Sequence, residues 1–201
     1  MKKIVAVMMV CMMVFALTAC GGAEPTEEEN SAASGGAAGT GSEAALVVYF
    51  SWSGNTESVA SEIQKQTGAD IFRLVPEEPY TDDYDTLLEV AEKEQRDDAR
   101  PEISGSIDHF DDYRVVYLGF PIWWGDMPMI LYSFLDDYDL SGKTIVPFVT
   151  SGGSGFSGAI QTIEGLEPEA EVLKGLSLGS TEAAEPGSAV SDWLKELGLA
   201  Q

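Results

Sequence analysis

Five apolar runs alternate with helical stretches from Leu46 onward, and this alternation constrains the fold more than any other feature of the chain. Leu46-Val47-Val48-Tyr49-Phe50 is a short continuous run of the kind a strand shows when both its faces are buried. Residues 69–75, 115–120, 144–150 and 171–178 repeat the pattern. Between and after them, residues 57–67, 83 to about 99, 128–138, 157–164 and 188–197 read as helices. Strands and helices in strict alternation predict a doubly wound α/β fold, with a five-stranded parallel sheet as the middle layer of a three-layer sandwich. Ligands of such folds sit outside the carboxyl ends of the strands, where the winding reverses. The loops after the first, third and fourth strands are therefore the ones to inspect.

After the first strand come Ser51, Trp52, Ser53, Gly54, Asn55 and Thr56, and then a helix. Hydroxyls, an amide and a glycine at a helix N-terminus can wrap an anion without any Lys or Arg. The competing reading is that Ser53 or Asn55 only caps the helix. After the third strand, Pro121-Ile122-Trp123-Trp124-Gly125-Asp126 sets two adjacent indoles in a loop restrained by proline and glycine. They form either an apolar lid or an aromatic wall for a flat heterocycle. After the fourth strand comes Thr150-Ser151-Gly152-Gly153-Ser154-Gly155.

Other chemistries find less material. Gly142-Lys143-Thr144 imitates the end of a phosphate-binding P-loop, but Asp137 stands where the earlier glycine belongs, and the triplet precedes a strand. Residues 153–158 fit G-x-G-x-x-G after the wrong strand, so a dinucleotide site is the lesser reading. His109 is the sole histidine and reads as a surface residue, which leaves no Ser-His-Asp triad and no multi-histidine metal site. No acidic run has the spacing of a calcium loop. With 34 acidic and 11 basic side chains and a formal charge of −23, the chain is unsuited to nucleic acid.

The N-terminus reads as an address. Lys2 and Lys3 precede an apolar stretch at 4–17, and Leu17-Thr18-Ala19-Cys20 closes it. Fourteen residues are too few to cross about 30 Å of hydrocarbon at about 1.5 Å per residue, so a membrane anchor helix is the lesser alternative. The segment resembles the signal peptide and lipobox of bacterial lipoproteins, which implies cleavage before Cys20 and acylation of its sulfur. Cys11 would leave with residues 1–19, so the mature chain would carry no free thiol. Gly, Ala, Ser, Thr and Glu dominate the next stretch, so residues 20–45 are expected to be a flexible tether and 46–201 the folded domain.

The three loops, each after its strand, resemble the phosphate loop and the two isoalloxazine loops of the flavodoxin family. That resemblance implies FMN as cofactor, with Ser51, Ser53, Gly54, Asn55 and Thr56 at its phosphate. Pro121, Ile122, Trp123, Trp124, Gly125, Asp126, Thr150, Ser151, Gly152, Gly153, Ser154 and Gly155 would then meet the ring. Trp123 or Trp124 would cover a flavin face, Trp124 beside Gly125-Asp126 being the slightly better match, and the Gly125 carbonyl matches the group that can meet the flavin N5 proton. The fifth strand, read as uninterrupted, resembles the short-chain subclass. The third loop lacks the tyrosine common in the family, and Phe156 is its only aromatic. Carboxylates and apolar walls would disfavour an anionic reduced flavin and lower its potential.

The expected function is electron transfer by a monomer tethered to the membrane outside the cytoplasm, with a protein redox partner. The alternatives are an FMN-dependent NAD(P)H:quinone-type reductase and a non-redox ligand-binding lipoprotein of the same fold.

Overall fold

The computed structural model describes residues 44–200. The residues expected to form a signal peptide, the lipobox with Cys20 and nearly all of the tether lie outside them. Along the chain run β1 (Ala45–Tyr49), α1 (Asn55–Thr67), β2 (Asp70–Arg73), α2 (Tyr84–Arg96), β3 (Val115–Pro121), α3 (Met129–Asp137), β4 (Thr144–Thr150) and α4 (Ala159–Leu166). The short strands β5 (Glu171–Val172) and β6 (Leu176–Leu178) follow, then α5 (Ser180–Ala184) and α6 (Gly187–Leu197). All pairings between these strands are parallel, in the order β2-β1-β3-β4-β5, with β6 also on β4. The winding therefore reverses between β1 and β3, where the two-fold choice of helix layer opens a crevice.

Both faces of the sheet are buried, and the period of two sorts its side chains. Leu46, Val48, Phe50, Val116, Leu118 and Phe120 join one core with Ile130 and Phe134 of α3 and Ile163 of α4. Val47, Tyr49, Val115, Tyr117, Val146 and Phe148 join the other with Val59 and Ile63 of α1 and Val190 and Trp193 of α6. The Phe148 ring lies over Gly119, its register partner, where any Cβ would collide with it.

The fifth strand departs from the expectation of an unbroken run. β5 pairs with Thr144 and Ile145 and β6 with Phe148 to Thr150, and between them the register slips by one residue. The Leu173 N–H reaches the Ile145 carbonyl at 2.9 Å, so odd-numbered residues of β4 turn their backbone groups toward this strand. Pro147 is the next of these and has no N–H to give. The ladder opens there into a one-residue bulge, and the Phe156 ring covers Gly175 in the gap.

Lys143, the lysine of the rejected P-loop, is only 5% exposed. Its Nζ donates to the carbonyls of Phe110, Asp111 and Tyr113 at 3.3, 3.3 and 2.7 Å and stands 5.0 Å from the Phe110 ring centroid. It pins the segment before β3 to the start of β4. Its chemistry is structural. His109 is exposed, as its polar surroundings in the sequence suggest.

Candidate functional site

The carboxyl ends of β1, β3 and β4 bring the three loops together. In the first, the buried Ser51 Oγ accepts from the Gly54 N–H at 3.2 Å, folding the loop back on itself. Gly54 has φ 89° and is the N-cap of α1, a position that strains any residue with a Cβ. It has no side chain to cap the helix, so the reading of Ser53 or Asn55 as the cap does not hold. The first bond of the helix is Ser58 N–H to the Gly54 carbonyl, 3.0 Å. The N–H groups before it have no partner within the helix, and they carry the positive end of its dipole.

Thr56 is buried, and its hydroxyl pairs with that of Thr150 at 2.9 Å, tying the first loop to the third. Behind the loop stands a cation that sequence reasoning left out. Arg73 donates to the Ser51 carbonyl and to the Glu57 carboxylate, each at 3.2 Å.

The loop after β3 is a tight hairpin. Trp123 and Asp126 exchange both backbone hydrogen bonds, at 2.9 and 3.0 Å. Trp124 and Gly125 between them have φ 50° and 81°, the positive pair of a type I′ turn. This geometry places the two indoles differently. Trp123 meets Phe50 and Tyr80 edge-on at 5.4 and 5.3 Å and joins the core beneath the loop. Trp124 is 51% exposed and donates its Nε1–H to the Leu88 carbonyl of α2 at 3.1 Å.

Asp126 faces inward to the protein. Its carboxylate accepts from Met127 N–H, the Tyr132 hydroxyl and the Thr162 hydroxyl at 2.8, 3.1 and 2.7 Å, fastening the turn to α3 and α4. Burial, with the Asp126 charge second, pushes the Tyr132 hydroxyl up to about 12, so it stays a donor. The Gly125 carbonyl accepts from Gly158 N–H at 3.0 Å.

In the third loop Ser151 Oγ accepts from Gly153 N–H at 3.3 Å, and Ser151 N–H bonds the Leu178 carbonyl at 3.0 Å. Gly153 and Gly155 take φ 114° and 63°.

These loops and α2 enclose a cavity of about 530 Å3. Of the sequence-derived residues, Ser53, Asn55, Pro121, Ile122, Trp123, Trp124, Thr150, Ser151 and Gly152 line it. Ser51, Gly54, Thr56, Gly125, Asp126, Gly153, Ser154 and Gly155 are not on its wall and shape the loops from behind or beside it. Phe156 stands on the fifth strand instead. The outer wall is α2, through Tyr84, Leu87, Leu88 and Ala91, with Trp52 beside it. Sequence reasoning missed this wall although the signal was present: 84, 87, 88 and 91 follow the i, i+3, i+4, i+7 spacing of one helix face, on an otherwise acidic helix. Trp52 is set by its Nε1–H on the Thr81 carbonyl, 2.9 Å.

Beneath Trp123, Tyr80 donates to Glu94 of α2 at 2.8 Å. Burial is the largest cause that raises both groups above their ordinary values. The cavity thus has a polar end at the start of α1 and an aromatic and aliphatic end between the Trp turn and α2.

A family model described as flavodoxin matches residues 44–197. Among solved structures, a candidate flavoprotein from Bacteroides eggerthii is 31% identical, over 77% of this chain and 98% of that one, with a TM-score of 0.69. Another from Bacteroides uniformis is 29% identical over 76% and 97%, with a TM-score of 0.68. A flavoprotein from Lactobacillus acidophilus, solved in complex with FMN, is 21% identical over 73% and 99%, with a TM-score of 0.60, and shares the fold. None of the curated protein sequences matches the chain.

Proposed function

The chain belongs to the flavodoxin family, and on that premise we propose that it binds FMN in the cavity between the Trp turn and α2 and serves as an electron carrier. The carrying observation is the pairing of two unlike ends in one cavity. At one, α1 opens without a side-chain cap beside Ser53 and Asn55; at the other stand Trp124, Ile122, Leu88 and Tyr84. A phosphate-bearing ligand with a flat apolar ring suits that donor set. Bound FMN would supply the redox chemistry.

The protein's part is binding and tuning. The N–H groups at the start of α1, with the Ser53 hydroxyl and Asn55 amide, would hold the phosphate. Arg73 supports the Ser51 carbonyl from behind and offsets the charge of Glu57. Leu87, Leu88 and Ala91 would keep water from the ring on the α2 side, and the indole of Trp124 would cover it at the mouth. The apolar wall of α2 and the Trp turn would disfavour added negative charge on the ring, which supports a low potential. Adding FMN to the purified chain tests the reading: a yellow complex with quenched Trp fluorescence is expected, and a colourless protein after gel filtration contradicts it.

One observation favours a reductase as a second reading. Tyr84 and Trp124 are 59% and 51% exposed at the cavity mouth, a rim on which a flat acceptor could stack. Steady oxidation of NAD(P)H by the flavin-loaded chain would separate it from a carrier.

The lipobox supports lipid attachment at Cys20 and a site outside the cytoplasm. Cys20→Ser should move the chain from the membrane fraction to the soluble one. Retention of a processed Cys20→Ser chain on membranes would contradict the anchor.

A further inference from the structure

The turn that carries Trp124 would be filled more easily by another residue. Its first central position has φ 50°, which Asn or Gly adopt with least strain and a bulky side chain resists. The indole is nonetheless held outward, with its Nε1–H on the Leu88 carbonyl, across the mouth of the cavity that both residues line.

The helix it reaches is loosely held. α2 buries only Leu87 and Ala91. Its other ties to the rest of the domain include the Glu94–Tyr80 bond, a ring contact between Tyr84 and Trp52 at 6.1 Å and this contact from Trp124. Segments with few buried apolar groups open locally at low free energy, and here such a segment is a wall of the site.

We propose that Trp124 is a positioning residue, a latch that fastens α2 to the Trp123–Asp126 turn and so sets how fast a ligand enters and leaves the cavity. The inference rests on the reading of that cavity as the FMN site. A latch and a simple contact differ in kinetics. Loss of a latch speeds entry and exit together, whereas loss of a contact speeds exit alone.

Two variants isolate the bond. Trp124→Phe keeps a ring and removes the N–H donor. Trp124→Asn removes the ring but suits the Asn-Gly type I′ turn, so the hairpin is retained or strengthened. Hydrogen exchange of the α2 amides in the FMN-free chain is the first readout, and stopped-flow association and dissociation of FMN the second.

Both variants should exchange α2 amides faster by roughly two- to tenfold, the weight of one ordinary hydrogen bond. Trp124→Phe should also speed FMN association and dissociation, with the dissociation constant moving less than either rate. Unaltered α2 exchange, or an association rate unchanged or slowed in Trp124→Phe, overturns the latch. If the parent chain binds no FMN the function reading fails by itself, and the exchange data still decide whether Trp124 holds α2.

Discussion

The hydroxyls of Thr56 and Thr150, 94 residues apart in the chain, share a 2.9 Å hydrogen bond in the interior. Thr56 is 1% and Thr150 6% exposed, so both hydroxyls lie largely out of water. Thr56→Val should therefore destabilise the domain by about 1–3 kcal/mol, because it leaves Thr150 buried without its partner. The double variant Thr56→Val with Thr150→Val should lose less than the two single effects added together. Urea unfolding of the four proteins measures this, and simple additivity would mean that the pair is not coupled.

Arg73 and Glu57 should act on FMN in opposite directions. Arg73→Gln removes a cation from behind the first loop, and Glu57→Gln removes an anion from the first turn of α1. Both side chains are close to half exposed, so each effect is modest, about 0.5–1 kcal/mol in FMN binding, and should fade as salt rises. FMN should bind more weakly to Arg73→Gln and more tightly to Glu57→Gln, with riboflavin indifferent to both. Titrations at low and high salt check the signs. Equal shifts for the two ligands would place the phosphate away from α1.

Two buried polar side chains should respond oppositely to truncation. Lys143 offers its ammonium to three carbonyls, and Lys143→Met would strand them, at about 2–4 kcal/mol of stability. The Ser133 hydroxyl is buried in α3 without a hydrogen-bond partner. Ser133→Ala should thus be neutral or stabilising by up to about 1 kcal/mol. Denaturant midpoints of both variants give the comparison.

Much of this architecture was legible because the central strands β1, β3 and β4 are apolar on both faces and alternate with helical stretches, the pattern of a parallel sheet covered by helices. The edges were less legible. Residues 69–75 read as one strand, yet pairing with β1 stops at Arg73, and Pro76 turns away to bridge Ile103. The bulge in the fifth strand follows from Pro147, visible in the sequence, but only the register shows that its missing N–H faces that strand. α5 has five residues, too short for a periodic signal.

At the site, loop composition picked out the three segments that converge. It could not show which groups face the cavity. Residue type alone does not show that the Thr56 hydroxyl and the Asp126 carboxylate tie their loops to neighbouring elements, and Arg73 reaches Ser51 only because β2 lies beside β1. The α2 wall has a clear helical stripe, but a stripe says that a face is covered and not what covers it.

The central claim is that the cavity takes FMN with its phosphate at the start of α1. The most direct measurement is a paired titration of the purified, flavin-free chain with FMN and with riboflavin, followed by Trp fluorescence. The two ligands share the ring and differ in the phosphate. The account predicts quenching by both, with FMN tighter by about tenfold or more, since hydrogen bonds to a charged group contribute about 1.5–3 kcal/mol each. Equal affinities, or no quenching by either ligand, would contradict it.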